Sequence, residues 1–248
     1  MNKKDKVLIV IFTIVLFLFT LISSISVDKN NYNYLVDNIN QDSDTDDNTE
    51  SVTYEEVNYE EIINSLKTEY QNDDIVGIFS IENTDFKVPL LQGKDNNYYL
   101  NHTPDGEENF MGSIYLDYRV DIDSSRKLLI FGHNSSRIDM PFKILEEFYD
   151  IDYLNNHKYV SITTTKMEKR YEIFSIFVET SDFSYMNINF NSDEEYYNHL
   201  IKLKEKSMYD TGVEISKDDE ILLLQTCSTH KDYINYAKKY LLIILRRV

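Results

Sequence analysis

The chain has 248 residues, with 43 acidic and 25 basic side chains, a formal net charge of −18 and a single cysteine. One cysteine excludes an internal disulfide and a thiolate metal cluster, and the acidic balance argues against nucleic acid as the main partner, because neutralising phosphates requires a cationic surface. A hydrophobic fraction of 42% is sufficient for a folded core, so the length predicts one domain with appendages.

The first appendage is an uncharged N-terminal segment over residues 7–27. As a helix rising about 1.5 Å per residue, it spans roughly 30 Å, the thickness of a bilayer's hydrocarbon core. An uncleaved transmembrane anchor is favoured over a removed signal peptide, because residues 23–27 are a poor match to a small-residue cleavage site. Three lysines in residues 1–6 predict a cytoplasmic tail, with the bulk of the chain outside the cell.

Residues 28–53 are rich in Asp, Asn, Ser and Thr. Such a segment cannot bury enough apolar surface to offset its ordering entropy, so it is predicted to be an acidic flexible tether. A calcium loop is the alternative, but the stretch 42–48 lacks the glycine and the terminal glutamate of an EF-hand. No metal site is therefore predicted.

Residues 54–248 are predicted to form the folded domain. Apolar residues at helical spacing predict an amphipathic helix over 54–70. Helices are also predicted over 139–149 and over 192–206, where Ser192 is the expected N-cap. Short β-branched or aromatic runs predict strands at 75–81, 127–131, 158–164, 171–178, 220–224 and 240–245. The architecture is thus mostly β with a few helices, and a closed or partly closed barrel would hide the strand edges.

The single cysteine, Cys227, follows the apolar run 221–224 and so lies where a strand meets its loop. A free cysteine is most often a small buried hydrophobe. On a protein outside the cytoplasm, however, an unpaired thiol is exposed to oxidants, so keeping one indicates that its reactivity is used.

A nucleophilic cysteine needs a base or a cationic neighbour, and five histidines are available. His133 follows the predicted strand 127–131 and can meet Cys227 at the same rim of a barrel. His230, three residues from the cysteine, stays an alternative, whereas His199 lies on a predicted acidic helix and is expected to be solvated. Spacing alone favours His133 only slightly. The other two histidines are His102 and His157.

Five segments, in order along the chain, resemble the signature blocks of class B sortases. They are 88–102, 112–119, 131–134 (Phe-Gly-His-Asn), 207–212 and 224–227 (Leu-Gln-Thr-Cys). The resemblance implies an eight-stranded sortase-type β-barrel with an N-terminal helical extension and a helix in the loop before the cysteine strand. It also implies a membrane-anchored protein of a Gram-positive cell surface, with its catalytic domain extracellular and no cofactor or metal.

Members of this family are cysteine transpeptidases. The resemblance therefore implies cleavage of a C-terminal sorting signal after Thr, followed by attachment of the surface protein to an amine of peptidoglycan or its lipid-linked precursor. By position, Cys227 is the nucleophile, His133 is the general acid and base, and Thr226 helps to shape the oxyanion site. Leu223 and Gln225 depart from the family pattern, which has Thr and usually Ser at these positions.

A larger departure concerns the arginine that sortases place shortly after the cysteine. No arginine occurs in residues 228–245. The alignment of the last strand puts Lys239 in that slot, with Lys238 next, while Arg246 and Arg247 are expected to be solvated terminal charges. Lysine keeps the charge but loses the planar fork of donors. We therefore expect weaker transpeptidation than in an arginine-bearing relative.

The substrate groove is expected between residues 180 and 212. The resemblance suggests a signal of the N-P-x-T-N or S/P-P-x-T-G type, although packing is the competing explanation for aromatic and aliphatic residues in this region. The substrate-binding candidates are Thr226, Gln225, Asn134, Tyr185, Ile188 and Tyr209. Two other functions stay open: a sortase-like binder of sorting signals with weak or no turnover, and a hydrolytic cysteine protease.

Overall fold

A computed structural model describes residues 57–248. The predicted cytoplasmic tail 1–6, transmembrane segment 7–27 and tether 28–53 lie outside these residues. Among the residues described, no helix has the length and apolar character needed to cross a membrane.

The domain begins with helix α1, Tyr59–Tyr70. The Asn58 side chain caps it by accepting a hydrogen bond from the Glu61 backbone at 3.1 Å, and Ile63 and Leu66 are buried. This confirms the predicted amphipathic helix, although the helix begins at Tyr59 rather than at residue 54. It packs against the strand that follows.

Eight strands then form a closed barrel in the order β1-β2-β3-β4-β7-β8-β6-β5. The pairs β2–β3 and β4–β7 are parallel and the others are antiparallel. This confirms the predicted mostly-β, eight-stranded barrel. The strands are β1 Ile75–Ile81, β2 Lys87–Leu91, β3 Tyr115–Leu116, β4 Lys127–Phe131, β5 Tyr159–Thr163, β6 Glu168–Glu179, β7 Ile221–Cys227 and β8 Tyr240–Arg247.

The two strands that the residue pattern did not predict have weak sequence signals. β2 contains Pro89, which has no backbone N–H and argues against a strand interior. β3 has only two residues, fewer than a period-2 pattern needs for recognition. The other six strands occur where predicted, and β7 extends to Cys227 itself.

The helices lie in the connections between strands. The segment predicted as one helix over 139–149 is a 3-10 helix, Lys143–Tyr149, followed by α2, Ile151–Asn156. Helix α3, Asp193–Glu205, precedes the cysteine strand as expected, and the side chain of Ser192 caps it. Three further 3-10 helices are Tyr98–Leu100, Phe183–Met186 and Lys231–Tyr233.

β4 and β7 lie side by side and run in the same direction. Residues 128–130 and 221–224 are fully buried, the pattern of parallel strands covered on both faces. Burying each such side chain contributes about 1.5–3 kcal/mol, so the register of this pair is strongly specified. Because parallel strands end at the same edge of a sheet, the residues that follow them lie together.

Candidate active site

The ends of β4 and β7 bring His133 and Cys227 to the same rim of the barrel. Phe131 pairs with Gln225 in the parallel register. His133 lies two residues beyond Phe131, and Cys227 lies two residues beyond Gln225. Both side chains are therefore at the same edge of the sheet. The sequence-predicted nucleophile and acid–base residue are thus neighbours in the fold.

Three hydrogen bonds continue the contact between the two strands past their last regular pair. The Gly132 N–H donates to the Gln225 carbonyl at 3.3 Å, and the Thr226 hydroxyl donates to the Gly132 carbonyl at 2.8 Å. The Asn134 side-chain amide donates to the Cys227 carbonyl at 2.9 Å. Thr226 is buried and holds the strand ends together; its part in an oxyanion site stays a prediction.

Two buried oxygens near the nucleophile have no hydrogen-bond partner among residues 57–248. They are Oδ1 of Asn134 and Oε1 of Gln225. The bond from the Asn134 amide to a carbonyl, which only accepts, fixes the orientation of the Asn134 side chain. The Asn134 oxygen is therefore a buried acceptor that lacks a donor.

The imidazole of His133 is oriented by a backbone carbonyl. Its Nε2 lies 2.8 Å from the carbonyl oxygen of Leu100, which ends the 3-10 helix Tyr98–Leu100. Because a carbonyl only accepts, Nε2 must carry a hydrogen. In the neutral ring the lone pair is then on Nδ1, so Nδ1 is the nitrogen that can accept a proton and return it.

The position of the Leu100 carbonyl depends on Gly112. Gly112 has a φ of +60°, and a Cβ added there would lie 2.5 Å from the Leu100 oxygen and 2.6 Å from the Tyr99 oxygen. Only glycine fits this close approach of two backbone segments.

Gly112→Ala is therefore expected to lower the free energy of unfolding by about 2 kcal/mol or more, because it adds a backbone clash to the cost of a left-handed φ. Gly212→Ala is the matched control, since Gly212 has a φ of +69° and nothing within 4 Å of an added Cβ. Urea unfolding measures both changes. An equal loss in the two variants would show that the contact with Leu100 is unimportant.

The thiol of Cys227 is exposed at the surface, yet protein packed along its inner side withdraws it partly from water. This desolvation raises the pKa of the Cys227 thiol, and the positive charge of Lys239 acts in the opposite direction. Lys239 precedes Tyr240, the residue paired with Cys227 across β7 and β8. Its ammonium donates to the carbonyl of Ile234 at 3.2 Å. Lys239 is thus the cation whose charge acts on the thiol.

The other cations considered for the arginine position point elsewhere. The ammonium of Lys238 lies 5.2 Å from the ring centre of Phe183. Arg246 and Arg247 lie at the end of β8 that pairs with the start of β7, away from Cys227. Both arginines are ion-paired rather than free in solvent, which corrects the expectation of solvated terminal charges. Their partners are Glu172 at 3.2 Å and Glu220 at 2.9 Å.

Aromatic side chains line one side of the cysteine. Tyr185 is buried, and burial raises the pKa of its phenol, with smaller contributions from neighbours that include Tyr240 and Cys227. The ring of Phe183 lies 6.2 Å from that of Tyr185 and 6.0 Å from that of Tyr240. Tyr185 is therefore close to the cysteine, and its part in a substrate groove stays a prediction.

The remaining two groove candidates lie farther from the thiol. Ile188 lines a cavity with Lys127 at the start of β4, the opposite end from His133. The Tyr209 hydroxyl donates to the Tyr149 carbonyl at 2.5 Å, and the Tyr149 hydroxyl lies 2.8 Å from that of Ser228. Tyr209 thus helps, through Tyr149, to hold Ser228, the residue after the cysteine, in position.

Two histidines differ in their surroundings from His133. His199 is half-buried, and burial together with the charge of Lys127 lowers its pKa to about 3. The expectation that His199 is solvated is therefore wrong. The ring of His230 accepts from the Asp232 backbone at 3.3 Å and lies 4.8 Å from the Tyr149 ring, so it caps a turn.

The sequence did not indicate the carboxylate that anchors the loop after Cys227. Glu146 accepts from the Thr229 backbone N–H at 2.6 Å and from its hydroxyl at 2.5 Å. These residues are 83 positions apart, and no motif links them.

Among the residues described, no group of three or more His, Cys, Asp or Glu side chains is placed to hold a metal ion.

Comparisons with known proteins agree with the fold. The family model of the sortase domain matches residues 79–244, and the chain belongs to the sortase family. Its relatives are class B members, which confirms the resemblance seen in the sequence. Sortase B of Listeria monocytogenes is 36% identical over 163 residues, covering 65% of this chain and 66% of the relative. Sortase B of Staphylococcus aureus is 29% identical over 157 residues, covering 63% and 64%.

Solved structures give the same result. The structure of Clostridium perfringens sortase B matches with a TM-score of 0.67 and 27% identity, covering 75% of this chain and 98% of that one. A Staphylococcus aureus sortase B–substrate complex matches with a TM-score of 0.67 and 27% identity, covering 75% and 84%. The sequence match spans just under two thirds of the curated relatives' length.

Proposed function

We propose that this protein is a cysteine transpeptidase that cleaves a C-terminal sorting signal after Thr and joins the new carboxyl group to a peptidoglycan amine. The observation that carries the proposal is the placement of Cys227 and His133 at the adjoining ends of two parallel strands, in a member of the sortase family. A thiol and an imidazole at one rim are the groups that acyl transfer through a cysteine requires.

In the first step, the Cys227 thiolate attacks the Thr carbonyl carbon of the signal. A carbon–sulfur bond forms, the peptide carbon–nitrogen bond breaks, and protonated His133 gives its Nδ1 proton to the leaving amine. The charge of Lys239 favours the thiolate and would also stabilise the developing oxyanion. The product is a thioester acyl-enzyme.

In the second step, an amine attacks the thioester carbonyl. His133 accepts a proton from the incoming nitrogen at Nδ1, the new amide bond forms, and the carbon–sulfur bond breaks to restore the Cys227 thiolate. The proposed acceptor is an amine of peptidoglycan or its lipid-linked precursor. Neither step needs a cofactor or a metal.

The signal would bind between the aromatic side chains around Tyr185 and the polar ends of β4 and β7. The oxygens of Asn134 and Gln225 are buried and lack a donor, so they would accept N–H groups of an extended peptide only if these side chains rotate outward when the peptide binds. The Staphylococcus aureus sortase B structure is a complex with a substrate, which supports substrate binding at the corresponding part of this fold. Peptides of the N-P-x-T-N and S/P-P-x-T-G types are the first to test, with cleavage expected after Thr.

We further propose that residues 7–27 anchor the protein in the cell membrane as a single span, with the N-terminus cytoplasmic and the catalytic domain extracellular. The uncharged run and the preceding lysines support this orientation. Membrane extraction and protease accessibility of intact cells test it: residues 54–248 should be digested from outside.

A binder of sorting signals with weak or no turnover is the second candidate. The raised pKa of Cys227 favours it, because it lowers the thiolate fraction at neutral pH. The lysine at position 239, where the family resemblance implies an arginine, is consistent with it. A hydrolytic protease would differ only in the second step, where water replaces the amine. The product masses with and without an added amine distinguish the three candidates. A transpeptidase joins the amine to the cleaved peptide, a hydrolase gives the free carboxylic acid in both cases, and a binder gives little or no product.

The charge of Lys239 should be visible in the reactivity of the thiol. Lys239→Met is expected to move the pH profile of Cys227 alkylation by iodoacetamide to higher pH, because the lost cation no longer favours the thiolate. Lys239→Arg should keep the profile and raise the acylation rate about fivefold, since the guanidinium adds a second parallel donor worth about 1 kcal/mol.

Lys238→Met is the matched control, because the Lys238 ammonium lies against the Phe183 ring and, of the two lysines, only the charge of Lys239 acts on the pKa of the thiol. It should leave the alkylation profile in place. A lower or unchanged acylation rate in Lys239→Arg would count against Lys239 in the arginine position, and so would equal shifts in the two methionine variants.

A further inference from the structure

Lys127, at the start of β4, is a buried lysine that the proposed chemistry does not use. Its residue surface is only 2% exposed. Its amine lies 2.6 Å from the carbonyl oxygen of Tyr185, 2.8 Å from that of Asn187 and 2.8 Å from Nε2 of His199 on α3. An amine has at most three donors, so these three groups account for its full capacity.

A second basic side chain reaches the same turn. The Arg119 guanidinium, held by the buried carboxylate of Asp117 at 2.6 Å, donates to the Met186 carbonyl at 3.4 Å. Three successive carbonyls at the end of the 3-10 helix Phe183–Met186 are therefore held by two basic side chains. Carbonyls at a helix end have no partner within the helix and need one from outside.

The start of the turn is fastened as well. Glu179 accepts from three successive backbone N–H groups and from Lys206 at 2.6 Å, and Lys206 also reaches Asp182 at 2.9 Å. The three N–H groups belong to Thr180, Ser181 and Asp182, at distances of 2.8–2.9 Å. Both ends of the turn are thus tied to the barrel and to α3.

The contact of Lys127 with the turn holds in either protonation state of its amine. Burial and the charge of Arg119 lower the pKa of Lys127 to about 7, and His199, with a pKa of about 3, is neutral. Charged Lys127 donates to both carbonyls and to Nε2. Neutral Lys127 still has two N–H donors, the number that the carbonyls of Tyr185 and Asn187 need. Its lone pair then accepts from Nε2 of His199, so His199 orients the amine in both states.

The turn carries Tyr185, which lies close enough to Cys227 to interact with it electrostatically, and Phe183, whose ring lies 6.2 Å from that of Tyr185. We infer that Lys127 is a positioning residue: by fastening the Tyr185–Asn187 backbone, it holds the aromatic wall of the peptide groove in place. The inference rests on the proposed function, because it assigns Lys127 to the binding of the sorting signal.

Lys127→Met in the full chain tests the inference. Methionine has a similar shape but no donor, so the turn loses two hydrogen bonds. The KM for a sorting-signal peptide should rise about tenfold or more while kcat changes less than about threefold, because a misplaced groove wall weakens peptide binding. The rate of Cys227 alkylation by iodoacetamide should stay within about twofold, since that reagent does not use the groove.

Lys169→Met is the matched control for loss of stability alone. Lys169 is equally buried and donates to the Ile122 and Asp123 carbonyls and to Glu220, at the end of β7 away from Cys227. The Lys169→Met variant should have a lower melting temperature, but its KM should stay within about twofold of the wild-type value. An unchanged KM in Lys127→Met, or equal changes in the two variants, would overturn the inference.

If Lys127→Met does not fold, His199 provides a second pair of variants. His199→Gln keeps an oxygen that accepts from Lys127, whereas His199→Leu removes the acceptor. KM should rise about threefold in His199→Leu and return to within about twofold of the wild type in His199→Gln. Equal KM values in both variants would overturn the inference.

Hydrogen exchange separates the failure of this inference from the failure of the proposed function. Amides of residues 183–187 should exchange about tenfold faster or more in Lys127→Met, or in His199→Leu, and not in Lys169→Met. Unchanged exchange overturns the inference even if peptides are cleaved. Faster exchange supports the placement of the turn even if the wild type cleaves no peptide, an outcome that would count against the proposed function alone.

Discussion

Cys227→Ala should abolish cleavage of sorting-signal peptides, with a loss of about 10⁴-fold or more, because no other group can form the thioester. Cys227→Ser should be nearly as inactive, since its hydroxyl is far less acidic than a thiol. Peptide cleavage followed by mass spectrometry measures both. Circular dichroism should show an unchanged fold, because the side chain lies at the surface.

Full cleavage by Cys227→Ala would show that every step assigned to the thioester is wrong. Loss of cleavage with retained peptide affinity would agree with the proposal, because the groove does not depend on the thiol. If Cys227→Ala lost both its peptide affinity and its native fold, Cys227 would instead be required for folding.

His133→Ala should lower kcat by about 10²–10⁴-fold, the usual contribution of a positioned acid and base. Its imidazole is oriented by the Leu100 carbonyl, and the variant removes the group that would protonate the leaving amine. Steady-state kinetics across pH measures the effect. His157→Ala is the matched control: His157 is a half-buried histidine with Nδ1 2.8 Å from the Tyr153 carbonyl, between α2 and β5, and its loss should leave kcat unchanged.

His230 is the alternative acid–base residue in this experiment. Its ring caps the turn after Cys227, so His230→Ala should lower kcat less than His133→Ala. A larger loss in His230→Ala than in His133→Ala would reverse the assignment.

Much of the fold could be predicted from the residues because the long apolar strands have strong patterns. The apolar runs of β4 and β7 predicted two strands, and His133 and Cys227 follow these runs in the sequence, so both were expected at strand ends. β2 and β3 could not be predicted in this way, because Pro89 and a length of two residues remove the local signal. Their positions follow from the closed barrel, which the family resemblance implied.

The site was predictable where its residues follow strands and not where contacts join distant segments. The carbonyl of Leu100 has no side-chain signal at all, and Glu146 reaches Thr229 across 83 positions. The solvated position expected for His199 was wrong because an acidic helix face says nothing about a buried lysine 72 residues away. Lys239 was found by aligning the last strand, and the structure places its charge where it acts on Cys227.

The most direct test of the proposed mechanism is the intact mass of the protein after incubation with a sorting-signal peptide. The wild type should gain the mass of the peptide up to and including Thr, on Cys227, and an added amine should release it as the amide. Cys227→Ala should gain nothing. A wild type that cleaves the peptide without passing through this adduct, or an adduct on another residue, would contradict the thioester mechanism.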